Sequence, residues 1–220
     1  MIAYASRTGT RRNLAALRAA GWRLLVSTAG VWRTEGFAWA ADNGQWAERD
    51  NPGPFKADRF RRFLAWCMAQ PVAPDWIVLP DVVMGGCRSL NLSLRWLAEF
   101  RRLGLLRSVN VLIAVQNGME AGRQLARVVR HLGKRVGIFV GGDTDWKLAT
   151  MGFWARIAHA AGAMCHVGRV NTARRIHACE AAGVDSFDGS SASRFEVTLR
   201  PLELARQQTD LEGFLARLAA

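Results

Sequence analysis

Among the residues able to do chemistry, Asp42, Asp81, Gln116, Gly141-Gly142, Arg169 and Asp188 form a coherent set. Two carboxylates facing one sugar carbon can break and re-form a glycosidic bond. One attacks the anomeric carbon to give a covalent glycosyl intermediate, and the other moves a proton on or off the leaving group. A carboxylate beside a side-chain amide suits the Watson–Crick edge of guanine: Asp81 can accept from N1–H and the 2-amino group while Gln116 donates to O6. With no Cβ at Gly141 or Gly142, a backbone N–H can approach the same oxygen. The set reads as a purine pocket with a nucleophile. Any one aspartate in it can equally cap the helix that follows.

These side chains act together only if the fold gathers them. Short apolar runs alternate with longer amphipathic stretches, predicting strands at 2–5, 23–27, 37–41, 76–80, 109–115, 136–140, 164–167 and 184–187. Helices are predicted over 10–20, 57–69, 89–103, 120–132, 146–161, 172–182 and 202–218. Near-continuous apolar strands separated by helices imply a parallel sheet covered on both faces. About eight repeats point to a (β/α)8 barrel, with a doubly wound open sheet as the alternative. No glycine-rich GxGxxG or GxxxxGK[ST] follows a strand, which weakens nucleotide-cofactor versions of either fold. In both folds the C-terminal strand ends build the site, and there the set falls. No linker, low-complexity tract or repeat divides residues 1–220, so a single barrel domain is expected.

The charge narrows the partners. Thirty basic residues face 18 acidic ones, for a net charge of +12. A GC-rich codon bias explains arginine in place of lysine but not the excess of bases over acids. Nucleic acid is the default partner of such a surface. Candidate phosphate contacts are Arg7, Arg11 and Arg12 after the first strand, with Arg174, Arg175 and Arg194 near later strand ends. Cys67, Cys87, Cys165 and Cys179 are scattered without a CxxC pair, which reads as reduced thiols rather than a zinc site. Trp32, Trp39 and Trp46 flank Asp42 and could stack on a flipped base, although most tryptophans of a barrel are packing residues. His166 sits in an apolar run and reads as a core or near-site histidine, and Asp143 and Asp145 read as caps of the next helix. No run approaches the roughly 18 apolar residues of a membrane span, and the N-terminus opens no signal peptide. No membrane partner and a cytoplasmic location, in a bacterium or a phage-infected cell, are the expectations.

Six segments, in order over about residues 37 to 190, carry a resemblance. Asp42-Asn43-Gly44 resembles the Asp-Ser-Gly-Gly-Phe segment of tRNA-guanine transglycosylases. Leu79-Pro80-Asp81 and Ala114-Val115-Gln116-Asn117-Gly118 resemble that family's base-reading segments, and Gly137 to Gly142 its Gly-Gly turn. Val167 to Asn171, then Gly183 to Asp188, resemble its closing motif. The resemblance implies a base-exchange enzyme on a (β/α)8 barrel, with Asp188 as nucleophile and Asp42 as general acid/base. Asp81, Gln116 and the Gly141-Gly142 backbone would hold the base, with Asn43 and Arg169 beside them. Asp185 is a rival nucleophile, but strand alternation puts it on the face opposite Asp188 and nearer the strand's start. The family's zinc-binding CxCxxC segment and histidine are missing, since only 26 residues follow Arg194, without Cys or His. That departure resembles the compact phage and bacterial 7-deazaguanine DNA transglycosylases, which exchange guanine in DNA for a deazapurine such as preQ0. The resemblance implies no metal or redox cofactor. Exchange on tRNA, and a non-catalytic Arg-rich nucleic-acid-binding barrel, are the alternatives; oligomeric state is open.

Overall fold

Val111–Val115 is buried at all five positions, as a strand covered on both faces must be. The computed structural model describes residues 1–50 and 53–208, and eight such strands close into one parallel barrel in chain order. They are β1 (Ile2–Ser6), β2 (Arg23–Ser27), β3 (Trp39–Asp42), β4 (Ile77–Val78), β5 (Val111–Val115), β6 (Val136–Val140), β7 (Cys165–Val167) and β8 (Ser186–Gly189). The barrel closes where β8 pairs with β1, Tyr4 lying opposite Asp188. The helices are α1 (Arg11–Ala19), α2 (Ala57–Met68), α3 (Cys87–Arg102), α4 (Gly122–Val129), α5 (Thr144–Ala160), α6 (Ala173–Ala181), α7 (Ser191–Arg194) and α8 (Glu196–Gln207). The architecture is a (β/α)8 barrel, not the open sheet. Among the described residues no helix is long and apolar enough to cross a membrane.

Period-two alternation splits the core into two layers. Leu24, Val26, Ile113, Val115, Ile138 and Val140 face outward and pack under the helices. Tyr4, Leu25, Ala40, Trp76, Val78, Leu112 and Ala114 face inward. Rings fill the axis: Trp76 lies 5.1 Å from Tyr4 and 4.5 Å from His166, and Phe139 stacks on His166 at 5.1 Å. Below them the Tyr4 hydroxyl donates to Asp75 Oδ2 at 2.9 Å, and Arg23 pairs with the same oxygen at 2.9 Å. The barrel is therefore packed along its axis, and a cavity opens at the C-terminal ends of its strands.

Several boundaries differ from expectation, the eighth strand among them: it runs Ser186–Gly189 rather than 184–187, so Asp188 is a strand residue. The third strand is shifted to Trp39–Asp42, so Asp42 is a strand residue rather than a loop residue. The fourth shortens to Ile77–Val78, although Leu79 still donates to the Leu112 carbonyl at 2.9 Å. The last helix begins at Glu196 rather than 202 and carries Pro201 inside it. Proline removes one intrahelical bond there, and the buried Leu199, Leu202 and Ala205 hold the helix down despite that loss. Positions 209–218 of the predicted helix lie outside the described residues.

Trp154 of α5 is fully buried, whereas Val197 of α8 is 80% exposed. Trp154→Ala is expected to cost about 3–5 kcal/mol in urea unfolding. Val197→Ala should stay within about 0.5 kcal/mol of the parent protein.

Candidate active site

Alternation on β3 turns Ala40 and Asp42 inward, and Ser27 of β2 stands opposite Asp42. The Gly44 N–H donates to Asp42 Oδ2 at 3.0 Å. Burial is the main force pushing the Asp42 carboxyl up to about 6; the Ser27 hydroxyl opposes it and the charge of Asp188 adds to it.

Asp188, from β8, is 6% exposed. Its Oδ2 lies 2.9 Å from His166 Nε2, and its Oδ1 accepts from the Arg169 N–H at 3.2 Å. The other imidazole nitrogen, Nδ1, lies 2.8 Å from Ser186 Oγ. Burial lowers the His166 pKa while the Asp188 hydrogen bond opposes that, so the ring is neutral at physiological pH. A neutral ring between these groups is satisfied with the Nε2 proton directed at Asp188 and Nδ1 accepting from the Ser186 hydroxyl. The β7 strand end comes close because residue 168 is glycine: a Cβ there would lie 2.5 Å from the Phe139 ring and 3.3 Å from Asp188 Oδ2.

The opposite wall follows β4 and β5. Gln116 Nε2 donates to Asp81 Oδ2 at 2.6 Å, and Asn43 Nδ2 donates to Asp81 Oδ1 at 2.9 Å. Gln116 Oε1 accepts from the Gly85 N–H at 3.0 Å, which fixes the amide with its N–H groups toward Asp81. Burial, with a contribution from Asp42, pushes Asp81 up to about 6 against the two amide hydrogen bonds. Together these side chains line a cavity of about 570 Å3. That is the size range of a small-molecule site.

One expectation about the glycine pair is corrected. The Gly141 N–H is spent on the Val115 carbonyl at 2.9 Å in the barrel ladder, so it is not free for a base oxygen. Gly142 has φ +61°, a Cβ there would lie 2.4 Å from the Trp146 ring, and its carbonyl accepts from Arg169 Nη2. The turn therefore seats Arg169. That residue itself has φ +62°, a strained conformation for a side-chain-bearing residue. Its guanidinium lies 3.7 Å from the Trp46 ring centroid.

Trp46 borders the cavity; the other two flanking tryptophans do not. Trp32 packs on Phe63 at 5.3 Å, and Trp39 is buried with its Nε1 donating to the Val72 carbonyl at 2.9 Å. Asp143 caps α5 as expected, accepting from the Trp146 N–H at 2.9 Å. Asp185 lies away from the cavity, accepting from the Cys165 N–H at 2.7 Å.

The candidate phosphate contacts divide. Arg7 is committed to an ion pair with Glu35 at 2.5 Å. Arg11 and Arg12 are exposed in the first turn of α1, and Arg174 in that of α6. Arg175 and Arg194 border the cavity, joined by Arg49, which the sequence does not single out.

Lys147 also escapes sequence reading. It is 1% exposed in the first turn of α5, and its ammonium donates to the Gly168 carbonyl. Burial brings it down to about 8. A lysine kept in a chain with only three, against 30 basic residues in all, was the available signal. Among the described residues no cluster of three or more His, Cys, Asp or Glu is placed to hold a metal ion.

No protein-family model matches the sequence, and no curated protein does either. Solved structures do match. Deoxyribose phosphate aldolase from Aeropyrum pernix is 12% identical with a TM-score of 0.59, over 94% of this chain and 89% of that one. A citrate lyase from Burkholderia xenovorans is 12% identical with a TM-score of 0.57, over 99% of this chain and 80% of that one. Protein CitE from Mycobacterium tuberculosis is 12% identical with a TM-score of 0.53, over 99% and 95% of the two chains. At such identities the likeness is one of fold, the (β/α)8 barrel.

Two stability measurements read this geometry. Because the folded state raises the Asp42 pKa from 3.8 to about 6, ionising it opposes folding as pH rises through that window. Asp42→Asn is expected to stabilise the fold at pH 7.5, by at most about 3 kcal/mol, and not at pH 3.5. His166→Phe keeps a ring against Phe139 but strands the Asp188 oxygen. It should cost about 1–3 kcal/mol more than His166→Gln in urea unfolding at pH 7.5.

Proposed function

We propose that this barrel is a transglycosylase that exchanges guanine in DNA for a 7-deazaguanine base of the preQ0 type. The observation that carries the reading is one cavity shared by Asp42 and Asp188, with the Asp81–Gln116 pair on its other wall. The six ordered motif resemblances supply the reaction class.

In this reading Asp188 attacks C1′ of the deoxyribose, the C1′–N9 bond breaks, and Asp42 gives its proton to the departing guanine. The incoming deazapurine then loses its N9 proton to the Asp42 carboxylate. Its nitrogen attacks C1′, and the bond to Asp188 breaks. His166 and the Arg169 N–H hold the Asp188 carboxylate in one orientation for both halves. Asp81 accepts from the base, and the Gln116 N–H not used by Asp81 donates to O6. The nucleotide must leave the stack first, at a cost of roughly a few kcal/mol. Arg175, Arg194 and Arg49 at the cavity supply phosphate contacts that offset it.

The deciding assay offers labelled preQ0 with duplex DNA, single-stranded DNA and tRNA. The expected result is label in DNA with the parent protein and a loss on the order of 10^4-fold in Asp188→Asn. Label in tRNA alone, or near-parental exchange by Asp188→Asn, overturns the proposal.

The pH dependence carries its own sign. Asp42 and Asp81 both stand at about 6. Breaking the first bond needs Asp42 protonated and Asp81 ionised, so kcat/KM for DNA should peak near pH 6. The second half needs both ionised, so kcat/KM for the incoming base should rise through pH 6 to a plateau. Steady-state profiles from pH 4.5 to 8.5 read both.

A further inference from the structure

The chain carries a net charge of +12, and some of its cations gather on one flank. Helices α3 and α4 lie side by side on one flank, where Arg127 Nη2 donates to Asn91 Oδ1 at 2.6 Å. Near their C-terminal ends Arg101 Nη1 is 3.3 Å from His131 Nδ1, and Arg130 Nε is 3.4 Å from His131 Nε2. The chain continues through Lys134 to Arg135, which donates to the Arg107 carbonyl at 3.3 Å.

Several arginines of the barrel meet carboxylates: Arg7 meets Glu35, Arg23 meets Asp75 and Arg206 meets Glu203. Here they do not. Among the described residues none of Arg101, Arg107, Arg127, Arg130, Lys134 and Arg135 has a recorded ion pair. Their hydrogen-bond partners, where they have them, are amides, a carbonyl and an imidazole. Glu99, the acid on this stripe of α3, is held by Arg102 at 2.6 Å. The crowding also registers on His131, whose pKa is lowered first by burial and then by Arg101, Arg130 and Arg127.

A row of like charges without internal partners repels itself, and an external polyanion relieves that repulsion. The flank offers no stacking platform. Its exposed large apolar residues are Leu103 and Val129, neither aromatic. Unstacked single strands are held on aromatic rings, whereas a double helix presents phosphates alone to such a face.

We propose that the α3–α4 flank is a docking surface for the phosphate backbone of a double-helical nucleic acid, separate from the mouth of the barrel. The helices run back from the strand ends that carry the cavity. Arg101, Arg107, Arg130, Lys134 and Arg135 therefore stand toward the opposite end of the barrel from Arg175 and Arg194.

The test is fluorescence anisotropy of a labelled 30-base-pair duplex, titrated with the full chain at several salt concentrations. Arg101→Gln, Arg127→Gln, Arg130→Gln and Lys134→Gln are combined in one variant, and its fold is checked by thermal melting. Each lost phosphate contact lowers the slope of log K against log salt by about 0.9, so the variant's slope should fall by about 3–4. Its affinity at 100 mM salt should weaken at least tenfold. If the combined variant does not fold, Arg101→Gln with Arg130→Gln, and Arg107→Gln with Lys134→Gln, are each expected to lower the slope by about 2. An unchanged slope overturns the proposal, as does failure of the parent protein to bind duplex at 50 mM salt. So does equal competition by a 30-nucleotide single strand, or tighter binding to phosphatidylserine vesicles than to duplex. Base exchange is not read in this experiment, so the surface and the exchange reaction stand or fall separately.

Discussion

A carboxylate held at the top of a barrel filled with rings is the constraint on which the site depends. Asp188 is 6% exposed, and directly beneath it Tyr4, Trp76, Phe139 and His166 pack edge and face against one another. An anion tolerates such a place only when its lone pairs are met. His166 and the Arg169 N–H meet one oxygen each. Much of the local structure serves those two bonds. Ser186 sets the imidazole tautomer, Gly168 lets the β7 end approach, and Arg169 accepts a left-handed backbone to point its amide inward. Lys147 ties down the Gly168 carbonyl from the helical layer. Polar partners thus extend two residues deep around one acid.

The second wall is built on the same principle. Asp81 also has an amide on each oxygen, yet burial and its neighbour Asp42 leave it near 6. A barrel mouth holding three carboxylates cannot ionise them all cheaply. The Asp42–Asp188 repulsion is the price of placing two acids within reach of one small ligand. Carboxyls held near 6 are placed for proton transfer at near-neutral pH.

The barrel was legible because it rests on period: alternating apolar runs and amphipathic stretches force strands with two buried faces. The placement of Asp42, Asp81, Gln116 and Asp188 around one cavity followed from strand ends alone. What stayed hidden depends on register between distant strands. His166 lies in Cys165–Val167, which looks like any core strand; only the pairing of His166 with Ser186 brings its ring between a hydroxyl and Asp188. Trp32, Trp39 and Trp46 recur at equal spacing, so local pattern had no means of separating the exposed ring from its two packed neighbours. The last helix starts six residues earlier than expected, because tertiary burial of Leu199 and Leu202 outweighs the one hydrogen bond that Pro201 removes. Gly141 failed as a donor for a similar reason: the sheet had already used its amide.

The contact of Tyr4 and Arg23 with Asp75 at the floor of the barrel has a kinetic meaning. The axis beneath is filled with rings, and the cavity opens at the C-terminal ends of the strands. On the proposed reaction, the expelled base must depart through the opening by which its replacement arrives. The two exchange in strict alternation. Between the two visits, the ester linking sugar and protein faces the solvent that the first base has let in. Water is then a competitor for every turnover, and abasic DNA is the by-product that a slow second base would leave behind.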